Sequence, residues 1–70
     1  MNYAVIYEAT PTGYSAYVPD LPGCVAAGKT RAEVQRLIRS AMRSHLDVMR
    51  SLGEPIPAPS TWSDTVPAPG

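Results

Sequence analysis

The chain has 70 residues, a mass of 7.5 kDa and a formal net charge of zero. A chain of this length forms one domain at most, and its core rarely contributes more than about 3–5 kcal/mol of net stability. Its single cysteine, Cys24, and single histidine, His45, exclude an internal disulfide and a four-ligand zinc site made of these residue types. Small domains without such cross-links are typically stabilised by association, so we expect a homodimer or a higher oligomer.

The amino terminus has neither a basic segment nor a long apolar run, and therefore does not resemble a signal peptide. No apolar run approaches the roughly 20 residues that a membrane-spanning helix needs. An unpaired cysteine fits a reducing compartment. The sequence therefore predicts a cytoplasmic protein that does not enter the membrane.

Three short strands are predicted in the first 28 residues. Residues 2–8 and 14–18 alternate in the manner of strands and are rich in aromatic and β-branched side chains. A segment with Pro and Gly, residues 9–13, has the length of a hairpin connection. Residues 24–28 form a third strand of small side chains, which let a helix lie close to the sheet. The pattern predicts a three-stranded antiparallel meander.

The segment 19–23 between the second and third strands is a shaped turn. Pro19 and Pro22 fix their own φ angles near −65°, and Gly23 adopts a positive φ without steric cost. Asp20 is expected to bond the backbone of its own turn, as Asp residues do. Cys24, which has no basic neighbour in sequence, is expected to be a buried small hydrophobe.

One long helix is predicted over residues 31–52. Thr30 and Glu33 form a capping box at its start, and Gly53 is a natural stop. Apolar residues recur at a spacing of three and four along one stripe. The helix would be about 33 Å long, more than strands of about five residues can cover. We therefore expect its distal half to pack on a second subunit, with an oligomer interface at His45, Met49 and Leu52.

The proline-rich tail, residues 54–70, is expected to follow a domain formed by residues 1–53, because it holds five of the eight prolines. Prolines favour extended geometry and exclude a central strand. Two interpretations of the tail are open, a short edge strand around Trp62 and Val66 or a flexible segment, and we favour the strand because a tryptophan is seldom left exposed. The fold class is thus α+β, with β-β-β-α order and this short C-terminal strand as the fifth element.

The chain resembles the HicB-like antitoxin family over about residues 2–60. The matching residues are Tyr3 and Val5 in the first strand, residues 13–18 in the second, the Pro-Asp-Leu-Pro-Gly-Cys turn at 19–24, Gly28, Thr30 and Glu33 at the helix entry, and residues 53–57 at the helix exit. This resemblance implies a degraded ribonuclease H-like fold that dimerises. Its implied partner is a HicA-like toxin, a small ribonuclease that cleaves messenger RNA and whose active surface the antitoxin masks.

Most family members carry a C-terminal helix-turn-helix or ribbon-helix-helix segment that binds the operator. The residues after Gly53 match neither motif, so we expect a short form without the DNA-binding segment. We expect a protein-binding module that is not an enzyme and that uses no metal and no cofactor. Exposed aromatic residues on a rigid edge make binding hot spots. The expected contacts with the toxin are therefore Tyr14, Tyr17, Asp20 and Leu21.

Catalysis by the sheet is disfavoured because Glu8 and Asp20 are the only carboxylates near it. A ribonuclease H-type site needs several convergent carboxylates to hold two metal ions about 3.5–4 Å apart. These two residues do not supply such a cluster.

The helix is basic, although the whole chain is neutral. All six Lys and Arg residues lie between positions 29 and 50, opposed there by Glu33 and Asp47, which leaves a charge of +4. Typical family members have a glutamate-rich helix, which suits a basic toxin. Two interpretations stay open: a solvated helix face, or an orphan oligomeric module that contacts nucleic acid. Helical spacing places four arginines opposite the apolar stripe: Arg36, Arg39, Arg43 and Arg50.

Overall fold

The computed structural model describes residues 1–70 and has an α+β architecture. The strands β1 (Ile6–Thr10), β2 (Gly13–Tyr17) and β3 (Val25–Gly28) are followed by the helix α1 (Arg31–Ser51). The sheet order is β1-β2-β3, with both neighbouring pairs antiparallel. The predicted meander followed by one long helix is confirmed.

The first strand begins later than predicted, at Ile6 and not at residue 2. Ile6 pairs with Tyr17, the last residue of β2. The pairing of β1 with β2 ends at this residue pair, and residues 2–5 are not paired in the sheet. The hairpin is also tighter than predicted, because Thr10 pairs with Gly13 and leaves two residues in the turn.

The corner between β2 and β3 is closed by three backbone hydrogen bonds. The Val18 N–H donates to the Cys24 carbonyl over 3.1 Å, which extends the strand pairing past the end of β2. The Leu21 N–H donates to Val18 and the Cys24 N–H to Leu21, each over 3.0 Å. Gly23 has the expected positive φ, 87°. Val18, Leu21 and Cys24 are all buried, so the corner is part of the core.

The helix α1 begins and ends on local signals that the sequence predicts. The Thr30 hydroxyl accepts from the Glu33 N–H over 3.1 Å. The Glu33 carboxylate in turn accepts from the Lys29 N–H over 3.1 Å, one residue before the cap itself. At the other end Gly53 has φ 69°, and the N–H groups of Gly53 and Glu54 bond back to Arg50 and Met49. This is a Schellman motif, which satisfies the last carbonyls of a helix.

The core lies between α1 and the strands β2 and β3. Strand β1 lies outside the helix footprint, and Tyr7 on it is 41 % exposed. No helix in the fold combines the length and the apolar character needed to span a bilayer. The six buried residues are Ala16, Val18, Leu21, Cys24, Val34 and Ile38.

The predicted C-terminal strand is wrong, since no strand follows α1. Trp62 is 79 % exposed and Val66 is 82 % exposed, so the tryptophan does not drive the tail onto the sheet. Alternate prolines in residues 55–59 lack the N–H donors that a strand needs. The tail instead returns to the body through side-chain contacts, the first of which is the Tyr3 hydroxyl donating to the Pro57 carbonyl. The boundary predicted at residue 53 stays a prediction.

Candidate functional site

Asp20 anchors the tail to the corner. One carboxylate oxygen accepts from the Ser60 N–H over 2.9 Å and from the Thr61 N–H over 3.0 Å. The other accepts from the Ser60 and Thr61 hydroxyls over 2.9 and 2.8 Å. The prediction that Asp20 bonds its own turn is therefore wrong, because its donors lie about 40 residues further along the chain. The backbone bonds from Thr61 and then Ser60 lower the pKa of Asp20 from 3.8 to about 2.

This anchor makes the docking of the tail sensitive to acid. The pKa of Asp20 in the folded chain lies below its unfolded value of 3.8, so the stabilisation is fully present above pH 3.8 and is lost as the pH falls towards about 2. We expect the amide resonances of Ser60 and Thr61 to move over this range in an NMR titration. At neutral pH, Asp20→Asn should already show the Ser60 and Thr61 amide signals that the unaltered chain shows in acid. The reason is that an amide has one acceptor oxygen in place of two.

Asp64→Asn is the matched control, because the carboxylate of Asp64 bonds only the next N–H, that of Thr65. Its spectrum should keep the anchored Ser60 and Thr61 signals at neutral pH. Unchanged signals in Asp20→Asn would refute the anchor.

The sheet face turned away from α1 carries an apolar row that crosses all three strands. Tyr17 pairs with Ile6 on one side and with Val25 on the other, and directly opposed residues share a face. Ala16, the neighbour of Tyr17 with the opposite orientation, is buried in the core, which fixes the row on the uncovered side. Tyr17 is 40 % exposed and Val25 is 63 % exposed. We call Ile6, Tyr17 and Val25 the open-face row.

The four residues predicted to contact a partner do not form one surface. Tyr14 lies on the same side as Ala16 and packs against the core. Leu21 is only 1 % exposed, and the carboxylate of Asp20 is occupied by the tail. Tyr17 alone displays its ring on the open side of the sheet, and its role in binding stays a prediction.

Three of the four predicted arginines share one recess on the outer side of α1. Arg36, Arg39 and Arg43 line it together with uncharged residues, and no carboxylate lies among them. Arg50 is separate and contacts Asp47 over 3.5 Å, with both side chains largely exposed. Ion pairs of that kind contribute little to stability. The recess is therefore a compact patch of positive charge without an acidic partner.

The residues predicted for an oligomer interface lie together in a groove of about 710 Å³ between the corner and the distal half of α1. We call it the distal groove. Cys24, a free thiol, lies at its inner side. Burial raises the pKa of this thiol and so favours its protonated form, and Cys24 is buried, as predicted. The groove is lined on its other sides by residues that include Val25, His45, Val48, Met49, Leu52 and Glu54.

The structure has no group of three or more His, Cys, Asp or Glu side chains placed to hold a metal ion. The surface features described above are the open-face row, the arginine recess and the distal groove.

Comparison with known proteins decides the family. The sequence-family model described as the HicB-like antitoxin of bacterial toxin–antitoxin systems matches residues 3–70 of this chain. The chain belongs to this family. A solved HicA3 and HicB3 toxin–antitoxin complex contains a chain with the same fold, with a TM-score of 0.72 and 30 % identity, over 84 % of this chain and 69 % of that chain.

Curated relatives of this HicB-like domain differ in length. A UPF0150 protein of Thermoplasma acidophilum is 36 % identical over 69 residues, which are 97 % of this chain and 100 % of the relative. Antitoxin HicB 2 of Photorhabdus laumondii is 33 % identical over 61 residues, 87 % of this chain and 44 % of the relative. A protein of Haemophilus phage HP1 is 35 % identical over 57 residues, which are 81 % of this chain and 43 % of the relative. The chain thus spans all of the first relative and less than half of the other two.

Sequence reasoning missed the anchor of this HicB-like domain. The one local signal is a pair of adjacent hydroxyl residues, Ser60 and Thr61, directly after the run of alternate prolines. Such a pair supplies four donors at one point of an otherwise donor-poor segment. Nothing in the sequence indicates that Asp20 would be the acceptor.

Proposed function

We propose that this HicB-like domain is a non-catalytic binding module that holds a HicA-like, mRNA-cleaving toxin and masks its active surface. Membership of the antitoxin family and the similarity to a chain of a toxin–antitoxin complex support this proposal. The structural observation that carries it is the open-face row, an apolar strip on a rigid sheet that the helix does not cover. The proposed compartment is the cytoplasm, because a cysteine kept as a free thiol fits reducing surroundings.

The open-face row has the properties of an interface centre. Neighbouring strands lie about 4.8 Å apart, so three paired side chains form a strip roughly 10 Å across. Tyrosine is enriched among residues that dominate binding energies, and Tyr17 occupies the middle of this strip. Backbone pairing on both sides of β2 holds Tyr17 in place, which limits the entropy lost on binding.

Charge also favours the sheet as the toxin-binding side. Glu8 is the only charged residue within the three strands, whereas the arginines lie on the helix. A toxin that binds RNA through positive charge therefore meets no like charge on the open face. The basic helix is compatible with toxin binding as long as the toxin contacts the sheet, since like charges brought together weaken association.

Tyr17→Ala should weaken binding to the toxin by about 30-fold or more, since a hot-spot truncation costs about 2 kcal/mol or more. The measurement is calorimetry with a HicA-like toxin, accompanied by inhibition of its RNA cleavage. Tyr7→Ala is a matched control, because Tyr7 is 41 % exposed and Tyr17 is 40 % exposed, but Tyr7 lies on the other face of the sheet.

The two variants test whether the open-face row is the binding surface, whereas the unaltered chain tests the antitoxin function. Equal affinities for Tyr17→Ala and Tyr7→Ala would refute the open-face row as the binding surface. An unaltered chain that neither binds nor inhibits a HicA-like toxin would refute the antitoxin function itself.

A second candidate is binding of nucleic acid through the arginine recess. The observation that favours it is the grouping of Arg36, Arg39 and Arg43 without a carboxylate among them. Binding driven by phosphate contacts weakens steeply with salt. Salt-sensitive RNA binding by the chain alone would support this candidate, and the antitoxin proposal does not require it.

A further inference from the structure

We infer that Trp62 makes a second contact with the toxin, at a positively charged part of its surface, and that the Asp20 anchor holds Trp62 in position for this contact. This inference rests on the proposed function and deepens it, because it adds a side chain of the tail to a binding surface otherwise formed by the sheet. We call residues 62–70 the exposed arm.

The exposed arm leaves the body of the chain at its first residue. All of its residues are exposed, whereas four of the six residues before it, 56–61, are half-buried. Trp62 and Val66 are its large apolar side chains, and both are largely exposed. The one hydrogen bond within the arm joins neighbours, the Thr65 N–H and the Asp64 carboxylate. The arm therefore adds nothing to the core, and its apolar side chains are available to another molecule.

The base of the exposed arm is held in place. The Asp20 carboxylate accepts four hydrogen bonds from Ser60 and Thr61, the residues directly before Trp62. Pro59 precedes this pair and fixes its own φ angle. An arm that is ordered at its base loses less conformational entropy on binding than a free chain does. Tryptophan is enriched in binding hot spots, so a fixed and exposed Trp62 has the properties of one.

The Asp20 anchor lies at the same end of the sheet as the open-face row. The row lies where β1 begins, β2 ends and β3 begins, and Asp20 follows Tyr17 by three residues in the corner that joins β2 to β3. The Thr61 N–H lies 3.0 Å from the Asp20 carboxylate. At about 3.8 Å per residue, the Cα atoms of Tyr17 and Trp62 are therefore at most roughly 25 Å apart. A standard interface of about 800 Å² per partner is roughly 30 Å across, so one toxin molecule is large enough to contact both side chains.

The charge of the tail favours a basic partner. After Arg50 the chain carries two carboxylates, Glu54 and Asp64, and neither Lys nor Arg. Asp64 lies two residues from Trp62, so a contact with Trp62 brings a negative charge to the partner. A toxin that cleaves RNA needs positive charge to bind phosphates, and complementary charges favour association. Nucleic acid itself is disfavoured at the arm, because its phosphates repel Asp64.

Trp62→Ala should weaken binding to a HicA-like toxin by about 30-fold, the loss expected when a hot-spot side chain is truncated. Titration calorimetry measures it. Leu52→Ala is the matched control, because Leu52 is also an exposed apolar side chain but lies at the C-cap of α1, and it should keep the affinity of the unaltered chain. Both side chains are exposed, so far-ultraviolet circular dichroism should show an unchanged fold for both variants.

A fluorine label reports the contact directly. Trp62 is the only tryptophan of the chain, so the protein produced with fluorotryptophan gives one fluorine NMR resonance. This resonance should move when unlabelled toxin is added and should stay in place when the labelled chain alone is concentrated. A resonance that does not move on toxin binding would overturn the inference. So would a resonance that moves with the concentration of the chain alone, since a second copy would then be the occupant.

A double-mutant cycle tests the role of the anchor. Asp20→Asn should weaken toxin binding roughly 2- to 12-fold, because a released arm must be ordered on binding. In the Trp62→Ala background the same substitution should have no further effect, since the side chain that the anchor positions is absent. Equal effects of Asp20→Asn in the two backgrounds would overturn the positioning role of the anchor.

The arm contact and the antitoxin function fail in different ways. Full affinity of Trp62→Ala for the toxin, with an unmoved fluorine resonance, would overturn the arm contact and leave the antitoxin function intact. An unaltered chain that does not bind the toxin would overturn both.

Discussion

Ile38→Ala should remove most of the free energy of unfolding and leave a large fraction of the molecules unfolded at room temperature. Ile38 is the only core residue with 0 % exposure, and it lies where α1 crosses the strands. Truncating a buried isoleucine to alanine costs about 2–5 kcal/mol, while a domain of this size has roughly 3–5 kcal/mol in total. The loss is therefore comparable with the whole free energy of unfolding. Urea denaturation followed by circular dichroism, at one fixed protein concentration, measures it.

Ile38→Val calibrates this prediction at the same position. Removing one methylene group costs about 0.5–1.5 kcal/mol, so this variant should stay folded and bind the toxin normally. The two substitutions should form a graded series in the urea midpoint. If alanine lowered the midpoint no further than valine does, the packing around Ile38 would not be what limits stability.

Local signals in the sequence were sufficient to predict the order and type of the four elements that the structure contains. Alternation predicts strands and the recurrence at three and four predicts the helix, because each pattern places apolar side chains on one face. Thr30 and Gly53 locate the two ends of α1 to within one residue, since they act through hydrogen bonds to groups no more than four residues away. Gly23 likewise fixes the corner through its own φ angle.

Features that depend on distant partners were not predictable in this way. The start of β1 is decided by where β2 ends, and residues 2–5 look like a strand although they have none to pair with. The anchor on Asp20 joins residues about 40 apart. Trp62 is apolar enough to predict burial, but it is 79 % exposed because no part of the fold packs over it. In each case a tertiary contact, or its absence, overrides a local preference.

The same difference between local signals and distant contacts explains why the residues predicted to contact a partner lie on different surfaces. Tyr14 and Tyr17 differ by an odd number of positions, so they lie on opposite faces of β2. The sequence places them on opposite faces but does not tell which face the helix covers. Burial of Ala16 decides this and leaves Tyr17 on the free side. The three residues predicted for an oligomer interface do lie together, because His45, Met49 and Leu52 follow the helical spacing of a single stripe, and their role in an interface stays a prediction.

Gly13→Ala should lower the melting temperature by about 10 °C, because overpacking costs roughly 1–3 kcal/mol and a domain of this size loses several degrees for each kcal/mol. Gly13 lies where the start of β2 passes the end of β3. A Cβ atom there would overlap the Gly28 carbonyl oxygen and would lie 2.9 Å from the Cα of Lys29. Both neighbours are backbone atoms, which yield only if the strands separate.

The strain from Gly13→Ala should also reach the helix cap. The displaced segment includes Lys29, whose N–H donates to the Glu33 carboxylate in the cap of α1. The Lys29 amide resonance should therefore shift in NMR spectra of this variant.

Gly53→Ala is the comparison that distinguishes steric overlap of an added Cβ atom from strain of a left-handed backbone. Gly53 has φ 69° but no atom within 4 Å of its added Cβ, so alanine costs only about 1–2 kcal/mol for the left-handed conformation. We expect its melting temperature to fall less than that of Gly13→Ala, with the Lys29 amide unmoved. A Gly13→Ala variant with the same melting temperature as the unaltered chain would contradict the close approach of β2 and β3. The position of Tyr17 between Ile6 and Val25 depends on that approach, and so does the continuity of the open-face row.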